Sequence, residues 1–174
     1  MKSTIWLYGS ISGAVIIGSM IVTMNLAGAL ADMEWLGYLT MIVALSVIFL
    51  AVKRYRDQEL GGVIRFGTAF MLGLGIAAVA SLVYVILWEV YLSATDYAFM
   101  RDYTQSILEA RMAEGLSDAA MQVEIDSMNK LEAQYANPLF RLPMTFLDIF
   151  PVGLVVALGA AAVLRNSKVL PDHA

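Results

Sequence analysis

Four long apolar segments divide this chain, and the loops between them alternate in the sign of their charge. The segments cover residues 5–30, 35–52, 67–92 and 144–164, and the first carries no formal charge. An α-helix rises about 1.5 Å per residue and the hydrocarbon layer of a bilayer is about 30 Å thick, so about 20 residues cross it. Inside lipid every backbone N–H and C=O has to be satisfied within its own segment, which makes these runs helices. With 60% hydrophobic residues and a mean hydropathy of +0.72, the chain is too apolar for an ordinary soluble domain of its length. The expected fold is all-α: a four-helix transmembrane bundle, one integral membrane domain over residues 1–174. Residues 93–142 form an extracytoplasmic helical hairpin between the third and fourth spans.

Lys and Arg placement sets the expected orientation. Lys2 precedes the first span, Lys53-Arg54-Tyr55-Arg56 and Arg65 lie between the second and third, and Arg165 and Lys168 follow the fourth. Residues 93–142 instead hold eight acidic and four basic residues. Short basic loops stay in the cytoplasm, so both termini are expected inside a bacterial inner membrane. Trp6, Trp35, Trp88 and Tyr91 stand at segment edges, where aromatic rings favour the headgroup layer. A cleaved signal peptide is the competing reading of the N-terminus, with Ala29-Leu30-Ala31 as its cleavage site. The preceding apolar run is well over the 7–15 residues of a signal core, so retention is expected.

The extracytoplasmic segment has a helical pattern. Ser93 with Asp96 resembles a capping box, and Met100, Tyr103, Ile107 and Ala110 then share a face. Gly115 ends that helix and Ser117 caps the next, which places Met121, Ile125, Met128, Leu131 and Tyr135 on a stripe. Asn137-Pro138 and Pro143 stop it before the fourth span. The bland reading packs the two stripes together; the sharper one makes this Met-containing surface a partner site. Its net negative charge disfavours nucleic acid or an anionic headgroup layer as partner.

Small residues mark where helices approach closely. Gly9 and Gly13 form a GxxxG pattern, with Gly18 and Gly28 beyond; Gly73 and Ala77, and Gly153, Ala157 and Ala161, repeat four-residue spacing. In lipid such contacts drive helix association, and packing within the chain is the expected use. The second segment is bulkier and is expected to face lipid.

The candidate polar site is Glu89, Asp148 and Asn25, each near one end of its span. Ionisable groups at membrane depth are functional candidates by default, here for a proton or cation. The structural alternative pairs the carboxylates with Arg141 or Arg101. A second candidate is Lys53, Arg54, Arg56 and Arg65, either a topogenic, lipid-anchoring loop or a docking loop for a partner. Its Gly61-Gly62 is not followed by the Gly-Lys-Ser/Thr of a phosphate loop. Without cysteine no disulfide or thiolate metal site exists. His173, the single histidine, lies in the C-terminal tail, and no HExxH or Ser-His-acid set is present. No cofactor, metal or enzymatic activity is expected.

Tyr8-Gly9 through Ser12-Gly13, Tyr55-Arg56-Asp57 to Leu60-Gly61-Gly62-Val63-Ile64, and Phe66-Gly67-x-Ala69-Phe70 resemble a bacterial family catalogued as DUF4199. So do Trp88-Glu89-x-Tyr91, Asn137-Pro138-Leu139 and Phe146-x-x-Ile149-Phe150-Pro151-Val152-Gly153. The resemblance covers nearly the whole chain. A departure is Asp148, where Glu is expected as often; the chemistry is similar. The resemblance implies a four-helix inner-membrane protein with an extracytoplasmic helical insertion, and no activity. Two function classes follow. One is a non-enzymatic accessory or scaffold subunit that meets membrane lipids and a larger membrane-protein partner. The alternative is a small transporter or channel, a homo-oligomer linked to protons or cations. The near absence of charge at mid-span favours the first.

Overall fold

The structure is a computed structural model that describes residues 1–25 and 34–171, with residues 25 and 34–37 described by backbone only. The Ala29-Leu30-Ala31 site, Gly28 and His173 lie outside the described residues, as do the side chains of Asn25 and Trp35. The described residues form seven helices and no strand: α1 (Lys2–Asn25), α2 (Glu34–Leu45), α3 (Val47–Glu59), α4 (Phe66–Ala94), α5 (Ala98–Ala113), α6 (Asp118–Tyr135) and α7 (Pro138–Leu164). Four stretches are long and apolar enough to cross a membrane: Lys2–Met24, Tyr38–Glu59, Phe66–Ala94 and Pro138–Leu164. The all-α membrane-type fold therefore stands. The chain divides into two compact units, Met1–Leu87 with Phe146–Ala174, and Trp88–Thr145.

Span boundaries differ from the sequence reading for local reasons. The second apolar segment is two helices that meet at Ser46, whose hydroxyl donates to the Ile42 carbonyl at 2.8 Å. Such back-bonding to the i−4 carbonyl bends helices. α3 then continues past Val52 to Glu59 because its charges support it. Lys53 Nζ reaches the Asp57 carboxylate at 2.7 Å and Arg54 Nε donates to Gln58 at 2.9 Å, both at i,i+4 spacing. α6 ends at Tyr135, just before Asn137-Pro138 as expected, but the same pair also starts α7, which runs on through Pro143. The Asn137 side chain accepts from the Leu139 amide at 3.0 Å, and Pro138 takes the first helical position, where a missing N–H costs nothing. Ser93 lies inside α4, so the capping box with Asp96 does not form. α5 instead follows Asp96 and Tyr97, both left-handed with φ of 50° and 54°.

In the first unit α4 is the central helix. Half of its apolar window is buried, against about a third or less for the others. Leu72, Ile76, Ala77 and Ala80 of α4 are buried with Leu45, Ile48 and Val52 of the second span and Ala157 and Ala161 of α7. Glycine makes this approach possible. A methyl group added at Gly73 would sit 2.9 Å from the Ala157 Cβ, and one at Gly153 would sit 2.6 Å from the Ala77 Cβ. These two contacts are reciprocal, glycine against alanine in both directions. On the other flank, a methyl at Gly9 would meet the Val79 Cβ at 2.6 Å, and one at Gly13 would meet the Ala80 carbonyl oxygen at 2.5 Å. Ser12, buried between them in sequence, donates to the Ala44 carbonyl at 3.1 Å and ties α1 to α2. The second span presents Tyr38, Leu39, Ile42, Val43 and Leu50 outward and buries its opposite face.

In the second unit α5 and α6 run side by side in opposite directions. Phe99 near the start of α5 meets Tyr135 at the end of α6, and Arg111 at the end of α5 pairs with Glu124 at 3.6 Å. Gly115 turns the chain with φ +73°, and the Ser117 side chain accepts from the Ala120 amide.

The glycine contacts generate a contrast. Gly13→Ala forces a methyl against backbone and is expected to lower stability by about 1–3 kcal/mol, as overpacking does. Gly18→Ala meets open space and should leave stability unchanged or slightly improved. Thermal unfolding midpoints of the two variants in one detergent check the difference.

Candidate functional site

The second unit is organised around Arg141. Its Nε donates to Glu89 Oε1 at 2.6 Å and its Nη2 donates to Oε2 at 2.8 Å, a bidentate pair. The third arm, Nη1, donates to the Tyr135 carbonyl at the end of α6 at 2.9 Å. The guanidinium also lies 5.1 Å from the Tyr97 ring centroid and 5.7 Å from that of Tyr135, within cation–π reach. Tyr135 in turn accepts a hydrogen bond from Trp88 Nε1 at 2.8 Å, and Trp88 packs edge-on against Phe99 at 4.9 Å. The Arg141 side chain is 4% exposed and that of Glu89 26%.

This geometry follows from the local sequence. Arg141 falls in the first turn of α7, so its long side chain can reach both the last turns of α4 and the C-terminal carbonyl of α6. Planar guanidinium matches planar carboxylate in two parallel bonds, which fixes orientation as well as distance. Tyr97 adopts a left-handed backbone, costly for a bulky residue, and its ring covers the guanidinium. Both oxygens of Glu89 accept from Arg141, and the arrangement holds three helix ends together. Arg101, the other partner considered for Glu89, is exposed and makes no ion pair among the described residues.

Asp148 belongs to the other unit and has different surroundings. It is exposed and makes no hydrogen bond or ion pair among the described residues. It borders an open cleft of about 500 Å³. The cleft walls come from α1, the second span, α4 and α7. Ser19 and Thr23, which also line it, donate to the Ile16 and Ser19 carbonyls of their own helix. Asn25 ends α1, and its side chain lies outside the described residues.

The four basic residues expected to form one loop separate. Lys53 and Arg54 are held by their own helix, and Arg54 also reaches the Tyr8 hydroxyl at 3.3 Å. Arg65 is exposed. Arg56 is fully buried: it donates to Asp57 at 2.6 Å and to the backbone carbonyls of Val169 and Leu170 at 2.9 and 2.6 Å. It clamps the segment after α7 onto α3, and its charge is not presented to a lipid or a partner. Among the described residues no group of three His, Cys, Asp or Glu side chains could hold a metal.

Across almost its whole length the chain follows the pattern of one family, described as Protein of unknown function (DUF4199), which matches residues 7–166. The chain belongs to the DUF4199 family. No curated protein and no solved structure matches it.

In this DUF4199 protein, sequence reasoning missed the Arg56 clamp and the aromatic surround of Arg141. A basic residue followed by an acidic one reads as a solvated loop, and nothing local signals that a segment more than a hundred residues later supplies its carbonyl partners. Trp88, expected at a span edge, is 2% exposed, and its indole N–H is spent on Tyr135. The signal for this cluster was the apolar stripe that included Tyr135.

Removing one partner of a mostly buried pair strands the other. Arg141→Gln is expected to cost about 2–4 kcal/mol, while Glu89→Gln, at a partly exposed position, costs less. The double variant should cost less than the sum of the two, because neither charge is then left alone. Unfolding of the four proteins in detergent, read by tryptophan fluorescence, checks this.

Proposed function

We propose that this protein is a non-enzymatic accessory or scaffold subunit of a membrane assembly, multi-pass in the bacterial inner membrane with both termini cytoplasmic. The observation that carries this reading is the bidentate Glu89–Arg141 pair. A proton-linked route is served by an ionisable group free to exchange its partner, whereas this carboxylate accepts from one guanidinium through both oxygens. Its neighbours Tyr97, Tyr135 and Trp88 complete a rigid polar-aromatic cluster suited to holding helix ends in a fixed presentation. The outward apolar row Tyr38, Leu39, Ile42 and Val43 supports contact with lipid or with a membrane partner. The basic residues before the first span, between the second and third, and after the fourth support the orientation.

One observation favours the alternative, a small proton- or cation-linked transporter: Asp148 has no partner among the described residues and borders a cleft. Both readings meet the same experiment. Purification of the tagged protein from its native membrane in gentle detergent, with mass spectrometry of what accompanies it, is expected to yield a stoichiometric larger membrane protein. A homo-oligomer with no other component would overturn the accessory reading. In that case proton flux in proteoliposomes that is lost in Asp148→Asn but kept in Glu89→Gln would establish the alternative.

A further inference from the structure

The Asp148 cleft combines three properties that narrow what it can hold. Its volume of about 500 Å³ falls within the 300–1,000 Å³ range of small-molecule sites. Its walls include three methionines, Met20, Met24 and Met41, and two tyrosine rings, Tyr38 and Tyr84. Thioethers and aromatic faces are polarisable, adapt to irregular apolar shapes and attract cations. Asp148 stands on its edge between Leu147 and Ile149, within a helix long and apolar enough to span a bilayer, with no counter-ion among the described residues.

A carboxylate at that position is costly until something compensates it. A hard divalent cation is a poor fit, because it takes six or more oxygen ligands and the described residues of the cleft supply one carboxylate. A lipid tail would fill the apolar walls and leave the charge unmet. An anionic ligand would add repulsion. The chemistry that meets all the surfaces at once is a primary ammonium group attached to an apolar body.

We propose that this cleft binds a free lipophilic amine, its ammonium group donating to the Asp148 carboxylate and its apolar body lying among Met20, Met24, Met41, Tyr38 and Tyr84. The methionine side chains shape themselves to the body. This site is separate from the accessory role and needs neither a protein partner nor transport.

The probe is phenylbutylamine, with phenylbutanol as its neutral counterpart. Each is titrated calorimetrically into the full-length protein in phosphatidylcholine nanodiscs, with empty discs as the blank. The amine is expected to bind saturably at one site, at least about tenfold more tightly than the alcohol, since a charge-assisted hydrogen bond supplies that much. Asp148→Asn should remove the preference, and Asp148→Glu should keep it. Equal affinity of the wild-type protein for amine and alcohol, or no saturable heat above empty discs, overturns the proposal without any reliance on a variant folding. Loss of amine binding when phosphatidylethanolamine replaces part of the phosphatidylcholine would assign the cleft to a lipid ammonium group and would also overturn it.

Discussion

The contact between α4 and α7 in the first unit depends on an exchange of small residues: Gly73 of α4 faces Ala157 of α7, and Gly153 of α7 faces Ala77 of α4. In lipid there is no hydrophobic force to press helices together, so close backbone approach and the dispersion contacts it permits have to supply the attraction. Each glycine gives up the volume that the opposing methyl occupies. Gly9 and Gly13 of α1 do the same on the other flank of α4, where the neighbours are Val79 and the Ala80 carbonyl. The central position of α4, the burial of Leu72 and Ile76, and the seating of Ile48 against Gly73 follow from these approaches. Gly18 and Gly159 meet nothing and take no part.

Where the second unit needs polarity it uses a closed set. Arg141 satisfies both oxygens of Glu89 and the terminal carbonyl of α6, and the rings of Tyr97 and Tyr135 flank its guanidinium. Arg56 does the equivalent in the first unit, where a fully buried guanidinium holds two carbonyls of the tail and the Asp57 carboxylate. Among the described residues no buried side-chain polar atom is left without a partner. Against that background Asp148, exposed and without a partner among the described residues, is distinctive.

Much of the fold was legible because hydrocarbon imposes length and composition directly on the sequence. The four spans can be counted from their apolar runs, and the pattern at Gly9, Gly13, Gly73 and Gly153 marks close approaches. Boundaries were less legible. The charges at Lys53–Asp57 look like the end of a span, yet their i,i+4 pairing carries α3 on to Glu59. Asn137-Pro138 reads as a stop signal and serves as both stop and start, because the same residues that end α6 cap α7. The candidate site was half legible. Arg141 could be weighed as a partner for Glu89 from charge alone, but a partner for Arg56 at residues 169 and 170 could not, nor could a cleft assembled from residues near 20, 40, 84 and 148. Those depend on distant segments meeting, and local periodicity carries no information about that.

The reciprocal contact offers the most direct measurement. Gly153→Ala places two methyl groups within contact distance and should destabilise the protein; Ala77→Gly removes the opposing methyl. Unfolding free energies of the wild type, both single variants and the double variant in one detergent form a complete cycle. Restoration of most of the lost stability in the double variant is the expected result, since the methyl has only moved from one helix to the other. Additive losses from the two substitutions would mean that Gly153 and Ala77 do not touch, and would contradict the packing on which the first unit rests.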